Sequence, residues 1–520
     1  MNERLKKIIE EKGCIKETMI RFPSLTSVEI MAQAGFDLLT IDAEHYPFNH
    51  ESIQNIVRVV HAAGQMCGMR VPFYEPSLIS HFMDYGLDYI LVPHVESKEQ
   101  AEGIVSAVKF APLGKRGLCP ITKAAAYGSE SVETFVQRSN QDCLVMLMVE
   151  TKTGLENIDA ILQVPGVDII SIGPSDVSAS FGVPGQIDHP LVRQAIETAQ
   201  KKILKNHVLY NAMVSSAEDA ARTLERGHRC FHIASDLQLM KKGLQRLESD
   251  LPKSTPSRLS LKEKMKKRIP AIVSMHRMAS EEWAELMSLS RLDGVILDLE
   301  HYAFDRERVQ SIIRTIRARG KAALVRVSRA DKPYLPLLMD MGASGILYPN
   351  LQSAEEAREI IDLIKFAPEG MRGYCPISRA ATYGSAYSAT QYPEVANRES
   401  IIGVMIESPE GLKALPEVLT MKEIDFISIG ASDISASLGQ PGVLDEKVKD
   451  IMNEIERLTL ESDKALECSV NNREDIKNYL AMGGSLFYYL SDQQILMREL
   501  RLLIEEVTEV AINNKSGGNL

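Results

Sequence analysis

The chain repeats itself at long range, and the repeat limits what it can fold into. The segment KFAPLGKRGLCPITKAAAYG (109–128) returns as KFAPEGMRGYCPISRAATYG (365–384), with fourteen of twenty positions identical. Arg70 falls on Arg326, Asp84 on Asp340 and Pro93 on Pro349 at an offset of 256 (326 − 70); Glu150 falls on Glu407 and Asp176 on Asp433 at 257. Solenoid repeats run about 20–50 residues, so a unit this long is a duplicated domain. Whatever the fold, it must be complete in roughly half of the 520 residues, which is ample for one large core. The expected organisation is a first domain over 1–252, a linker over 253–257 with prolines around it, a second domain over 258–512, and a disordered tail over 513–520.

Within the first copy, eight short apolar runs near 18–22, 38–42, 67–71, 89–93, 145–150, 168–173, 207–213 and 230–235 alternate with helix-period segments. Strongly apolar strands alternating with amphipathic helices predict a parallel sheet covered by helices. Eight such units per copy predict an α/β protein of two tandem (β/α)8 TIM barrels. A doubly wound open sheet is the alternative, and it lacks the GxGxxG turn after the first strand. The stretch 111–144 is read as one long loop of the kind that carries function.

Composition removes several classes of function. The net charge of −11 disfavours nucleic acid and anionic membrane as partners. No apolar run approaches the ~18 residues of a membrane span, and MNERLKKIIEEKG is not a signal peptide. Seven cysteines without CxxC spacing are read as reduced thiols of a cytoplasmic protein.

The chemistry gathers at the predicted strand ends. LLTIDAEH (38–45) returns as VILDLEH (295–301), an apolar run that ends in Asp-x-Glu-His. Arg70 closes the third run, Glu150 the fifth, and Gly173-Pro174-Ser175-Asp176 follows the sixth; the second copy has Arg326, Glu407 and Gly430-Ala431-Ser432-Asp433. On a barrel these ends open onto one face. Two carboxylates there suit a hard divalent cation, which leaves its other positions to water and substrate oxygens. The plainer reading is a helix cap or a pair with arginine. The Gly-x-Ser-Asp turn either binds a carboxylate with its N–H groups or is an ordinary strand-to-helix turn. Arg70 either holds an oxyanion or pairs with Asp42 or Asp84. His45 and His301 are candidate proton carriers. The other nine of the eleven histidines, His94 among them, do not recur in the opposite copy and are assigned structural or solvated places.

These motifs, with AGFDLLTIDAEH (34–45), GMRV (68–71), ILVPHV (90–95), KFAPLGKRG (109–117), VETKTGLENIDAIL (149–162) and SIGPSDVSASFG (171–182), resemble the HpcH/HpaI aldolase family of metal-dependent 2-oxo acid aldolases in both halves. The resemblance implies barrels of the phosphoenolpyruvate/pyruvate-binding type that hold Mg2+ or Mn2+, sometimes Co2+. It implies Glu150, Asp176, Glu407 and Asp433 as metal ligands. It implies Gly173, Pro174 and Ser175, with Gly430, Ala431 and Ser432, as the carboxylate-binding turns. Arg70 and Arg326 would stabilise an enolate oxygen. His45 and His301 would transfer protons, supported by Asp42, Asp84, Asp298 and Asp340.

The expected activity is cleavage or formation of a 4-hydroxy-2-oxo acid from a 2-oxo acid and an aldehyde. A CoA-thioester lyase of the malyl or citryl type is the alternative, as is one catalytic barrel fused to a scaffolding one. Relatives assemble as six barrels, so a homo-oligomer of three two-barrel chains is expected. Met148 and Met405 stand where many relatives carry Gln, and Lys123 stands where Arg379 keeps the family's arginine.

Overall fold

The computed structural model describes residues 1–206, 208–250, 259–388 and 390–517. The expected linker (253–257) and the last three residues of the expected tail lie outside them. The sequence folds into two closed eight-stranded barrels. The first is built from β1 (Ile15–Ile20), β2 (Leu38–Asp42), β3 (Met66–Arg70), β4 (Tyr89–Val92), β5 (Leu144–Met148), β6 (Ile169–Ser171), β7 (Leu209–Met213) and β8 (Cys230–Ser235). The second uses β9 (Ala271–His276), β10 (Gly294–Asp298), β11 (Ala322–Arg326), β12 (Gly345–Tyr348), β13 (Ile401–Ile406), β14 (Phe426–Ile429), β15 (Ala465–Val470) and β16 (Leu486–Tyr489). Every ladder is parallel, and β1 pairs with β8, as β9 does with β16, to close each ring. These are two tandem (β/α)8 barrels.

The strands are buried on both faces, which is why they read as apolar runs with little alternation. In the first barrel Met19, Leu38, Met66, Tyr89, Leu91, Met146 and Ile169 belong to one core cluster, and Leu5 of the helix Glu3–Lys12 joins it. Leu261 and Met265 of the helix Leu261–Lys266 join the matching cluster in the second barrel. A short helix thus packs on the core just ahead of the first strand in each copy.

The stretch 111–144 differs from its reading as a loop. It contains a short 3-10 segment, Lys123–Gly128, and a helix, Val132–Asp142. That helix was hidden because it buries only Phe135 and Ser139, too few for an apolar stripe.

The chain divides into two compact units. One comprises Met1–Met240 with the chain from Leu496 on; the other is Lys241–Ile495. Each unit therefore takes its last helix mostly from the other half of the sequence. Within the first unit, Lys16 Nζ donates to Thr508 Oγ1 at 3.0 Å; within the second, the Arg291 N–H donates to Glu248 Oε1 at 3.2 Å. The C-terminal helix runs Asp492–Gly517 and continues into the stretch expected as a tail. Among the described residues no helix is long and apolar enough to cross a membrane.

Candidate active site

Asp42 and Arg70 are register partners at the ends of β2 and β3. The carboxylate of Asp42 is fully buried and accepts from Arg70 Nε at 3.0 Å and from Nη2 at 2.8 and 2.7 Å. This decides between the two structural partners open to Arg70 in favour of Asp42. The second barrel repeats the pair: Arg326 Nε donates to Asp298 at 3.0 Å and Nη2 at 2.6 Å. A further arginine, unforeseen in the sequence, leans on each aspartate. Arg21 Nε lies 3.5 Å from Asp42 and Arg277 Nε 3.0 Å from Asp298. Burial opposes the charge on Asp298, but Arg326 and Arg277 hold its carboxyl below the usual range. Arg21 and Arg277 also recur at the 256 offset, which was the signal that could have found them.

The free side of the Arg70 guanidinium faces the rest of the site. Its Nη1 is 2.9 Å from Glu44 Oε2 and 3.8 Å from the Met148 sulfur. Glu44 in turn lies 3.3 Å from His94 Nε2, and His94 Nδ1 lies 3.2 Å from Glu150 Oε1. One ligand atom from each of Glu44, His94 and Glu150 comes within 4.8 Å of the others, a spacing that fits a metal ion. Asp176 belongs to the same corner, because a Cβ on Gly173 would stand 2.6 Å from Glu150 Oε2 and 3.6 Å from Asp176 Oδ2. Only glycine leaves room for both carboxylates there.

The charges of this corner set its chemistry. Burial, aided by the negative charges of Glu44 and Asp176, pushes Glu150 up to about 7 even though the His94 N–H donates to it at 2.9 Å. In the second barrel burial, Asp433 and Glu300 push Glu407 up to about 7. Three crowded carboxylates facing one guanidinium are an arrangement that a divalent cation neutralises. The residues present fit the Mg2+ or Mn2+ expected from the sequence.

The remaining expected residues separate into two groups. His45 and His301 sit at the rim, His45 62% exposed, with Nε2 3.8 Å from Glu44 and 3.6 Å from Glu300 respectively. Gly173, Pro174 and Ser175 open the helix Pro174–Ser180, and Gly430, Ala431 and Ser432 open Ala431–Ser437; no side chain caps either start. Asp84 and Asp340 are not brought to this corner of their own barrels. Asp84 ends the helix Pro76–Met83 and binds Arg116 at 2.7 Å; Asp340 binds Arg372. A helix that follows a strand runs back toward the opposite face, and it carries these aspartates away from the strand ends.

His94, expected in a structural or solvated place, is half exposed and stands beside Glu44 and Glu150. It follows Pro93 with φ 55°, and Asn350 takes the same place in the second copy with φ 45°. The histidine was passed over because it does not recur. Both residue types tolerate the left-handed region, so the backbone kink is common to the copies while the side chain differs.

The matrix of motifs has a known counterpart: the model of the HpcH/HpaI aldolase/citrate lyase family matches residues 21–242 and 276–469, well over half of the chain. The chain belongs to the HpcH/HpaI aldolase/citrate lyase family. It is an enzyme, a carbon–carbon lyase. It is similar to the 5-keto-4-deoxy-D-glucarate aldolase of Escherichia fergusonii, 33% identical over 227 residues, which are 44% of this chain and 88% of that protein. It is similar to the pyruvate aldolase of Rhizobium etli, 34% identical over 227 residues, 43% of this chain and 88% of that protein. A solved HpcH/HpaI family protein from Burkholderia cenocepacia J2315 aligns at 27% identity and a TM-score of 0.45, over 48% of this chain and 99% of that one. Each of these aldolases matches less than half of this HpcH/HpaI chain over most of its own length.

Proposed function

We propose that each barrel is a divalent-metal-dependent aldolase site that cleaves or forms a 4-hydroxy-2-oxo acid, with pyruvate or a close analogue as the 2-oxo acid half. The observation that carries this reading is the meeting of Glu44, Glu150 and Asp176 beside the charged head of Arg70. Glu150 and Asp176, with Glu44 and His94 at hand, would hold the ion in the first barrel; Glu407, Asp433 and Glu300 would hold it in the second. When bound, Mg2+ or Mn2+ supplies a Lewis acid for a 2-oxo acid.

The chain's own residues perform the rest. In cleavage the proton leaves the C4 hydroxyl, the C3–C4 electron pair becomes the enolate of the 2-oxo acid, and C4 departs as an aldehyde. Return of a proton to C3 gives the methyl group of pyruvate. Arg70, fixed by two-oxygen pairing with Asp42, offers Nη1 to the developing enolate oxygen. His45 at the rim moves the proton of the hydroxyl. The first turn of Pro174–Ser180 presents N–H groups to the substrate carboxylate. The sulfur of Met148 makes the wall beside Arg70 less polar than an amide would, which favours aldehydes with an apolar or small group there.

The test is condensation of pyruvate with a panel of short aldehydes. The reading predicts 4-hydroxy-2-oxo acid products, lost in EDTA and restored by Mn2+ or Mg2+. Product formation that EDTA leaves unchanged would overturn it.

A further inference from the structure

The second barrel contains a cavity of about 760 Å3 at the end of the strands opposite Glu407. Ala322, Ser344 and Ile401 line it, and they stand at or just before the first residues of β11, β12 and β13. The N-terminal face of a barrel ordinarily serves stability, so its lining is unexpected. Arg314, Arg317 and Arg379 all border the cavity. Among the described residues none of the three forms an ion pair. Burial lowers the pKa of Arg379, and the charges of Arg314 and Arg317 lower it further. The three guanidiniums thus border one shared space. Arg379 is held by the Met341 carbonyl at 3.0 Å, against Gly342, where a Cβ would strike its Nη1. Glu399 is the carboxylate nearest in effect to Arg317, and Arg398 Nε already binds it at 2.8 Å.

The first copy shows how such a cavity looks when it is neutralised. The matching space there is smaller, about 420 Å3. Asp88 accepts from Arg4 at 3.0 Å, from His61 at 2.8 Å and from the Cys67 N–H at 2.9 Å, and Glu130 pairs with Arg138. In the second copy both ion pairs are gone. Ser344 replaces Asp88, Ser260 replaces Arg4, Ala386 replaces Glu130 and Val395 replaces Arg138. At the same time His61 becomes Arg317 and Lys123 becomes Arg379. Ser344 keeps the structural duties of Asp88: its Oγ accepts from the Ala323 N–H at 3.0 Å and from Arg317 at 3.1 Å. Only the negative charge has been withdrawn.

We propose that this cavity of the second barrel binds a small polyanionic metabolite, carrying phosphoryl groups or several carboxylates, as a site separate from the candidate active site. Three guanidiniums that form no ion pair outnumber the lining carboxylates Asp293 and Glu399, which Lys264 and Arg398 already bind, and they match such oxyanions by two-point hydrogen bonding. The volume falls in the range of about 300–1,000 Å3 usual for small-molecule sites, too large for a lone phosphate ion. Tyr383 and Tyr387 line the same space and offer faces and hydroxyls to the remainder of the ligand.

The test is calorimetric titration of the full-length protein with pyrophosphate and, separately, citrate, in EDTA and low salt, so that binding through a metal ion is removed. The proposal predicts one binding event per chain, weakened by salt, and weakened about tenfold or more by Ser344→Asp and by Arg314→Ala. Ser344→Asp restores an arrangement that the first copy already folds around, and the exposed Arg314→Ala keeps the test decisive if the former does not fold. Tighter pyrophosphate identifies a phosphoryl ligand, and tighter citrate a polycarboxylate. Absence of binding by both probes, or binding that either folded variant leaves intact, overturns the proposal.

Discussion

Arg70 and Asp42 sit side by side at the ends of β3 and β2, joined through both carboxylate oxygens, and the same pair recurs as Arg326 and Asp298. The pairing leaves Nη1 of Arg70 for Glu44 and for the substrate, while Glu300 approaches Arg326 at Nε, 3.3 Å away. The pairing also makes Asp42 a structural necessity. Asp42→Asn is expected to cost about 3 kcal/mol or more of stability, because a buried guanidinium then lacks its counter-charge. Denaturant unfolding of the variant measures the loss. Activity should fall as well, since Arg70 is no longer aimed.

Glu150→Gln and Glu407→Gln test whether both barrels work. Each single variant should retain about half of the parent kcat per chain, and the double variant should lose about 100-fold or more. A single variant with parent activity would show its barrel to be silent.

His94 and Asn350 give the two barrels different donor sets around otherwise equivalent carboxylates. Imidazole suits the later first-row ions, Co2+ among them, better than an amide does. Titration with Co2+ should therefore resolve a tighter site and a weaker one, and His94→Asn should weaken the tighter site by about tenfold, leaving a single class.

His228 provides a pH-dependent stability that does not involve the site. It is buried against Tyr210, its Nδ1 lacks a hydrogen-bond partner among the described residues, and burial together with Arg226 and Arg229 lowers it to about 4. A group held neutral in the fold favours folding above its unfolded pKa near 6.5, and that contribution is lost as pH falls from about 6.5 to about 4. The loss should approach about 3 kcal/mol at the acid end. His228→Phe should flatten the dependence of Tm on pH over that window.

The fold was legible because its strands are buried on both faces and its copies can be compared. β2 and β8 begin and end where the apolar runs do. The helix Val132–Asp142 was not legible, because its outward face is almost entirely polar. In the site, recurrence picked out Glu150, Asp176, Arg70 and Asp42, which the fold brings to one face. The same criterion picked out Asp84, which binds Arg116 away from the strand ends of its own barrel. It also concealed His94, whose side chain differs between copies while its backbone does not. Glu44 stood in plain view inside Asp-x-Glu-His, but its reach to Arg70 and His94 depends on the turn that follows β2.

Exchange of the pyruvate methyl protons with deuterated water, followed by NMR in the absence of any aldehyde, asks directly whether a cation held by these acids lets the chain form an enolate. The account predicts exchange that stops in EDTA, resumes with Mn2+ or Mg2+, and is absent from the Glu150→Gln/Glu407→Gln double variant. Exchange that persists at the parent rate in EDTA, or in the double variant, would contradict it.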